Sequence, residues 1–467
     1  MDREGEECGE IKELPLHFHS IFIADLEDFM SKLSILAART SHALLSLAGR
    51  GGSLPGSIAL RLDPDSLKHL HFRGPVILVT GTNGKTSTAN MISSLFEKAG
   101  KKVVTNRKGD NLKAGITTAL LLHASGSGEV DADVVVLEVD ELNIRHVLPY
   151  LPVSTLVVNN FFRDQLDRAR EMEQLIESIE NVLPDYKGTL VLNGNDPNTA
   201  RLALKAPHAK ASYFGIGENK YSFKTAKEAS EGKFCPVCSS RLEYDFYQYS
   251  HIGKFHCPNC GFKTPPLDVE LKDIDLNRQT FLYDGQKYQG PYEGMYSMYN
   301  YAAVLAILRQ YGLPQSAFEL MLKDAPHPAG RNERFKKEGK EVILNLVKNP
   351  TGANEVMKVI ERDGTKKAIV IVLNDREQDG TDVSWIYDTQ FEKFMNPQTE
   401  CVICSGTRAG DMALRMYYGG CSCELSIESP IEKAVSQALK KCDTVYVVAT
   451  YTALLPSRKA IEKEMAL

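Results

Sequence analysis

Three groups of residues in this chain have types and spacings that suit chemistry. The first is Thr80-Gly81-Thr82-Asn83-Gly84-Lys85-Thr86-Ser87, which follows the apolar run Val76-Ile77-Leu78-Val79 and opens a helical pattern over residues 87–99. A loop in that setting turns several backbone N–H groups toward one point, the helix N-terminus adds a field that favours anions, and Lys85 supplies a cation for the outer phosphates of a nucleotide. Thr86 is then placed to ligate magnesium. The general spacing G-x-x-x-x-G-K-[ST] would put its first glycine at Val79, so the match is partial. The competing reading is a tight strand-to-helix turn with a surface lysine.

The second group is Leu137-Glu138-Val139-Asp140-Glu141 at the end of the apolar run 134–136. A carboxylate at the C-terminal end of a neighbouring parallel strand faces the crevice where a magnesium nucleotide sits, and Glu138 is the first candidate, with Asp140 and Glu141 competing. Alone, such a cluster would be a solvated strand end.

The third group is Cys235-Pro236-Val237-Cys238 and, after 18 intervening residues, Cys257-Pro258-Asn259-Cys260. Two C-x-x-C knuckles at that separation present four thiolates to a tetrahedral ion; zinc is the expected occupant, in a closed structural site rather than a catalytic one. A redox pair needs one knuckle, and iron–sulfur clusters use other spacings. By contrast, Cys401 and Cys404 lie in an apolar run whose alternation sends them to opposite faces as core residues, and Cys421 and Cys423 read as ordinary thiols.

Positioning these groups requires strands that alternate with helices. Buried strands are expected at 76–79, 103–104, 134–139, 155–158 and 189–192, which implies a parallel sheet covered on both faces. Apolar residues at helical spacing between Leu26 and Leu45 mark a helix before them, and another is expected over 299–311. The stretch Asp324-Ala325-Pro326-His327-Pro328-Ala329-Gly330 cannot continue a helix and reads as a linker. Beyond it, strand-like runs at 342–347, 368–373, 402–403 and 445–449 make a second, smaller α/β domain. Its run 368–373 leads into Asn374-Asp375-Arg376-Glu377-Gln378-Asp379-Gly380-Thr381-Asp382-Val383-Ser384-Trp385, a polar cluster where open sheets carry functional groups.

The expected division is therefore a loose N-terminal extension over 1–28, a central domain over 29–325 with the cysteine insertion at about 222–270, and a C-terminal domain over 326–467. Length supports this, because single cores stop growing near ~250–300 residues and the chain has 467. An apolar share of 43% and a charged share of 25% are those of a soluble globular protein, and a net charge of -5 argues against a general nucleic-acid binder. The acidic start lacks a secretory signal, and paired C-x-x-C knuckles suit a reducing compartment, so a cytoplasmic location is expected.

The ordered set Thr80–Thr86, Glu138, Asn159-Asn160-Phe161-Phe162-Arg163-Asp164-Gln165-Leu166-Asp167, Leu192-Asn193-Gly194-Asn195-Asp196, Asn300-Tyr301-Ala302-Ala303 and Gly330-Arg331 resembles the Mur ligases. The resemblance covers most of residues 71–467. It implies a central P-loop domain with a parallel sheet, here carrying the inserted four-cysteine zinc ribbon, and a C-terminal Rossmann-like α/β domain. It also implies ATP, Mg2+ and Zn2+ as cofactors, Asn300 as a nucleotide-binding residue, and Arg331 closing over the phosphates from the C-terminal domain.

The ribbon together with residues 374–385 looks like the branch of that family whose ATP-using subunit amidates the D-glutamate α-carboxylate of the lipid II stem peptide. That branch takes ammonia from a glutaminase subunit, GatD, and works at the inner face of the membrane. There, an aspartate of the C-terminal domain is expected to orient the partner's histidine, with Asp379 the first choice and Asp382 the second. Asp164-Gln165-Leu166-Asp167 departs from the Asp-His-Leu-Asp of the peptide-forming ligases, which suits a nucleophile that is not an amino acid. Two other readings stay open: a Mur-type ligase that adds an amino acid to a cell-wall or folate-like substrate, and a zinc-ribbon nucleic-acid-binding ATPase.

Overall fold

Alternation along the strand Val76–Thr80 sends Val76 and Leu78 to one side and Ile77 and Val79 to the other, and each side is packed into its own apolar core. Such a strand can only sit inside a sheet covered on both faces. The computed structural model describes residues 16–46, 52–106, 110–162, 172–225, 232–324 and 330–466, with side chains from residue 29 onward.

Among these residues, nine strands form the first sheet, in the order Gln286–Gln289, Thr280–Tyr283, Val269–Asp275, Lys210–Ile216, Thr189–Asn193, Val153–Val158, Val76–Thr80, Val134–Glu138, Val103–Thr105. The seven from Val269–Asp275 onward are parallel. The first two are antiparallel additions at one edge. One face is covered by the helices Lys85–Lys98, Met295–Tyr311 and Gln315–Asp324. Leu16–Ser46, Ser53–Leu62, Lys113–His123 and Met172–Glu180 cover the other.

The second sheet has the order Glu333–Lys337, Lys340–Leu346, Thr444–Ala449, Lys367–Val372, Thr399–Ser405, Glu424–Ile427, antiparallel only at its first pair. Cys401 and Cys404 of the strand Thr399–Ser405 enter the cores on opposite faces of this sheet, as their spacing predicts.

The expected strands are present, most with ends shifted by a residue or two and the run expected at 402–403 extended to Thr399–Ser405. The strands Lys210–Ile216, Val269–Asp275, Glu333–Lys337 and Glu424–Ile427 add to those expected, and three further features differ. The first helix starts at Leu16, inside the stretch expected to be a loose extension over 1–28. The helix expected at 299 starts at Met295, where Gly294 at φ +94 ends the preceding loop. The edge hairpin Thr280–Tyr283/Gln286–Gln289 lies in a segment too polar to read as strand, because one of its faces is solvated. The linker residues 325–329 lie outside the described residues, as do 163–167 of the Asn159–Asp167 segment.

Candidate functional site

The strand Val76–Thr80 delivers the loop at its C-terminal end, and two glycines let it turn. Gly84 sits at φ +84, and a side chain there would collide with the amide oxygen of Asn300; at Gly81, φ +124, a Cβ would press on the Asn160 backbone. Behind the loop stands Asn160. Its carbonyl accepts the Thr82 N–H at 2.9 Å, its Oδ1 accepts the Asn83 N–H at 2.9 Å, and its Nδ2 donates to the Asn83 carbonyl at 3.0 Å. The amides of Thr82 and Asn83 are therefore spent on shaping the loop.

The first intrahelical bond runs from the Thr88 N–H to the Gly84 carbonyl. The N–H groups of Lys85, Thr86 and Ser87 precede it and have no carbonyl within the helix to meet, which leaves this first turn as the anion-facing set. Beside it, the buried Asn159 Oδ1 has no hydrogen-bond partner among the described residues, and neither has the buried Thr80 Oγ1. A glycine cradle with orphaned polar atoms at its wall fits a polyphosphate and its metal.

Lys85 is buried, and its ammonium group donates to the Gly81 carbonyl at 2.7 Å and to Glu141 Oε2 at 3.0 Å. The acidic stretch thus divides its labour: Glu141, a competitor for magnesium in the sequence, is the counter-ion of Lys85. Glu138 pairs in register with Val79, and its Oε1 accepts from Asn111 Nδ2 at 3.0 Å. That register sets its carboxylate beside the strand end from which Thr86 is presented.

Arg331 joins the two domains. It lines a cleft with Asn83, Gly84, Tyr249, Tyr296 and Glu355. A second, smaller cavity gathers Arg331 with Ser87 and Asn300. From the C-terminal domain, Asn349 Nδ2 donates to Asn83 Oδ1 at 3.2 Å while its Oδ1 caps the helix Pro350–Arg362 through the Gly352 N–H. Nothing in the local sequence announced the Asn349 contact, since it joins residues 266 positions apart.

The four knuckle sulfurs lie within 4.8 Å of one another, with Cys235–Cys260 and Cys238–Cys257 Sγ atoms each 3.5 Å apart. Tetrahedral zinc with ~2.3 Å bonds needs sulfurs about 3.8 Å apart, so the set fits the ion. Among the described residues no other cluster of this kind exists; Cys421 and Cys423 approach to 3.2 Å without further ligands.

In the C-terminal domain, Asp379 is buried: Oδ1 accepts the Thr452 N–H at 2.7 Å, and Oδ2 accepts the Thr452 hydroxyl and the Arg376 N–H. Asp382 is half-buried and accepts the Ser384 N–H at 2.7 Å, just before the turn Ser384–Tyr387. Trp385 anchors this loop in the core.

A P-loop on a parallel sheet, an asparagine-braced turn and a second α/β domain reaching over the loop define a Mur-type ligase. The Mur ligase middle domain family matches residues 79–262, and the MurT ligase C-terminal family matches 346–454. The subunit MurT of the glutamine-hydrolysing lipid II isoglutaminyl synthase of Staphylococcus aureus (strain COL) is 33% identical over 92% of this chain and 97% of its own length. The chain belongs to the MurT family.

Solved structures agree on the fold. The pseudomurein peptide ligase type C of Methanothermus fervidus superposes with a TM-score of 0.65 at 21% identity, covering 86% of this chain and 81% of that one. MurF ligase of Thermotoga maritima in complex with ADP gives 0.57 at 17% identity, with 88% and 84% covered.

Proposed function

We propose that this chain is the ATP-using subunit of a glutamine-hydrolysing amidotransferase that converts the D-glutamate α-carboxylate of the lipid II stem peptide to the amide. The observation that carries this reading is end-to-end similarity to a MurT subunit combined with an intact phosphate loop. A carboxylate is a poor electrophile and must be activated. One of its oxygens attacks the γ-phosphorus of ATP, ADP leaves, and an acyl phosphate forms; ammonia then attacks the carbonyl carbon and inorganic phosphate departs with the bridging oxygen.

The first turn of the helix Lys85–Lys98 and the Lys85 ammonium stabilise the charge on the transferring phosphoryl group. Lys85 exchanges Glu141 for the phosphates when nucleotide binds. Thr86 and Glu138 would hold Mg2+, which would supply positive charge to the nucleotide's phosphates. Thr80, Gly81, Thr82, Asn83 and Gly84 shape the loop, Ser87 and Asn300 line the nucleotide pocket, and Arg331 closes from the C-terminal domain to exclude water. Zn2+ on Cys235, Cys238, Cys257 and Cys260 is structural.

Ammonia comes from a glutaminase subunit of the GatD type. Its docking face is the side of the C-terminal domain that exposes Leu414, Tyr417 and Tyr418 on the helix Ala409–Tyr418 and Tyr387 on the turn Ser384–Tyr387, because large exposed apolar side chains of this kind suit a partner surface. The helix Ala409–Tyr418 packs on the loop carrying the two aspartates through Arg415 Nε and the Ile386 carbonyl, 3.1 Å apart. An aspartate completing the partner's Cys–His pair must be within reach of the partner's surface. Asp382 is the more exposed of the two, with Asp379 holding the loop in place. The site works at the inner face of the membrane, where lipid II is presented; among the described residues no helix is long and apolar enough to cross a bilayer.

The test is to co-purify the chain with a GatD-type glutaminase and follow a lipid II analogue by mass spectrometry. Amidation that needs ATP and either glutamine or ammonium supports the reading. Product formed instead with a free amino acid and no glutaminase replaces it with a peptide-forming ligase.

A further inference from the structure

Hairpin tips ordinarily lie in solvent. The hairpin of the cysteine insertion, Glu243–Tyr249 with Ile252–His256, does the opposite: Tyr249, Ser250, His251 and Ile252 at its tip are all buried. Ser250 adopts φ +44 to make the turn, and just past the tip the Gly253 N–H donates to the Asn195 carbonyl at 2.9 Å. Burial of a polar tip is costly unless its groups are met; the Gly253 N–H and His251 Nε2 are met here, while the buried Ser250 Oγ has no hydrogen-bond partner among the described residues.

We propose that the four-cysteine insertion is a brace for the nucleotide loop, and that His251 at its tip is a positioning residue for ATP. This rests on the ATP-using function proposed above. His251, whose ring lies 4.9 Å from that of Phe162 at an interplanar angle of 57°, donates Nε2–H to Asp196 Oδ1 at 3.2 Å. The other oxygen of Asp196 accepts the Phe161 N–H at 2.9 Å. Phe161 directly follows Asn160, the residue that brackets Thr82 and Asn83.

The chain of contacts therefore runs from the hairpin tip through one carboxylate to the backbone that shapes the loop. Tyr249, two residues before His251, lines the same interdomain cleft as Asn83, Gly84 and Arg331. At the opposite end of the hairpin, Cys257 directly follows the strand Ile252–His256, so an ion held by the four cysteines would fix the open end while the tip is docked. The hairpin's outer groups, Lys254 with Asp245 and His256 with Glu243, are mixed in sign, which does not suit a polynucleotide contact.

Two near-isosteric substitutions test this in the full chain. Glutamine sets its amide nitrogen near the Nε2 position and can reach Asp196; asparagine sets it near Nδ1 and cannot. ATP binding with magnesium is measured by titration calorimetry, with zinc content and melting temperature recorded alongside. The expected result is a roughly tenfold rise in Kd for His251→Asn, about 1.4 kcal/mol, with His251→Gln within about threefold of the parent and zinc unchanged in both.

Equal weakening in both variants, or parental affinity in His251→Asn, overturns the proposal. A measurement on the unaltered chain guards against a variant that does not fold. Stripping zinc and returning the protein to magnesium should weaken ATP binding, re-adding zinc should restore it, and unchanged affinity in the zinc-free protein overturns the brace. A parent that binds no ATP contradicts the proposed function instead.

Discussion

Lys85 is held by a carboxylate and a carbonyl in a buried setting, so it waits in the loop as a charge already desolvated and already neutralised. Replacing Glu141 with phosphate swaps one anion for another and needs little reorganisation, which favours tight nucleotide binding. Lys85→Ala should raise the Kd for ATP by roughly 10–100-fold, the equivalent of ~1.5–3 kcal/mol for a charge-assisted hydrogen bond. Calorimetry checks it, and parental affinity would contradict the assignment.

Glu141→Gln removes a charged partner from the buried ammonium and should cost about 1.5–3 kcal/mol of stability. ATP should narrow that deficit, because its phosphates take the place of the carboxylate. Thermal melts with and without ATP read this directly; an equal deficit in both would mean that Lys85 does not change partners.

At the scale of elements, the strand–loop–helix unit that holds the phosphate loop was legible because local pattern sets it: the fully apolar run Val76–Val79, a glycine turn and a helical period come in sequence order. The two knuckles were legible for the same reason, spacing being a local property. What they brace was not, since the burial of Tyr249 and His251 depends on residues from the neighbouring strand Thr189–Asn193 and its loop. Asn160 and Glu141 stood in stretches singled out by sequence, but their partners are set by register between strands and by packing.

If the ribbon is a metal-stapled element, Cys257→Ser should abolish stoichiometric zinc and lower the melting temperature, because the thiolates otherwise have nothing to neutralise them. Zinc assay and calorimetry check this; retention of zinc by the variant would show that the ion sits elsewhere. Cys404→Ser should leave zinc untouched, since that thiol lies in the core of the other domain, where burial pushes it up to about 12.

On the scale of the whole molecule, the two α/β units meet at Asn83, gripped by Asn160 from its own sheet and by Asn349 from the other. Only the fold brings residues so distant in sequence together, which is why this contact could not be read in advance. Arg331→Ala should lower kcat about 10–100-fold with little change in the melting temperature, as expected for a cation contributed to the transition state. A variant that instead loses stability with kcat intact would make Arg331 a structural clamp.

The central claim is that a substrate carboxylate is activated by phosphoryl transfer at this loop. With a glutaminase partner present, a lipid II analogue labelled with 18O in the D-glutamate α-carboxyl group should yield inorganic phosphate that carries the label, because the bridging oxygen leaves with phosphorus. Amide formed while the released phosphate carries no 18O would contradict it.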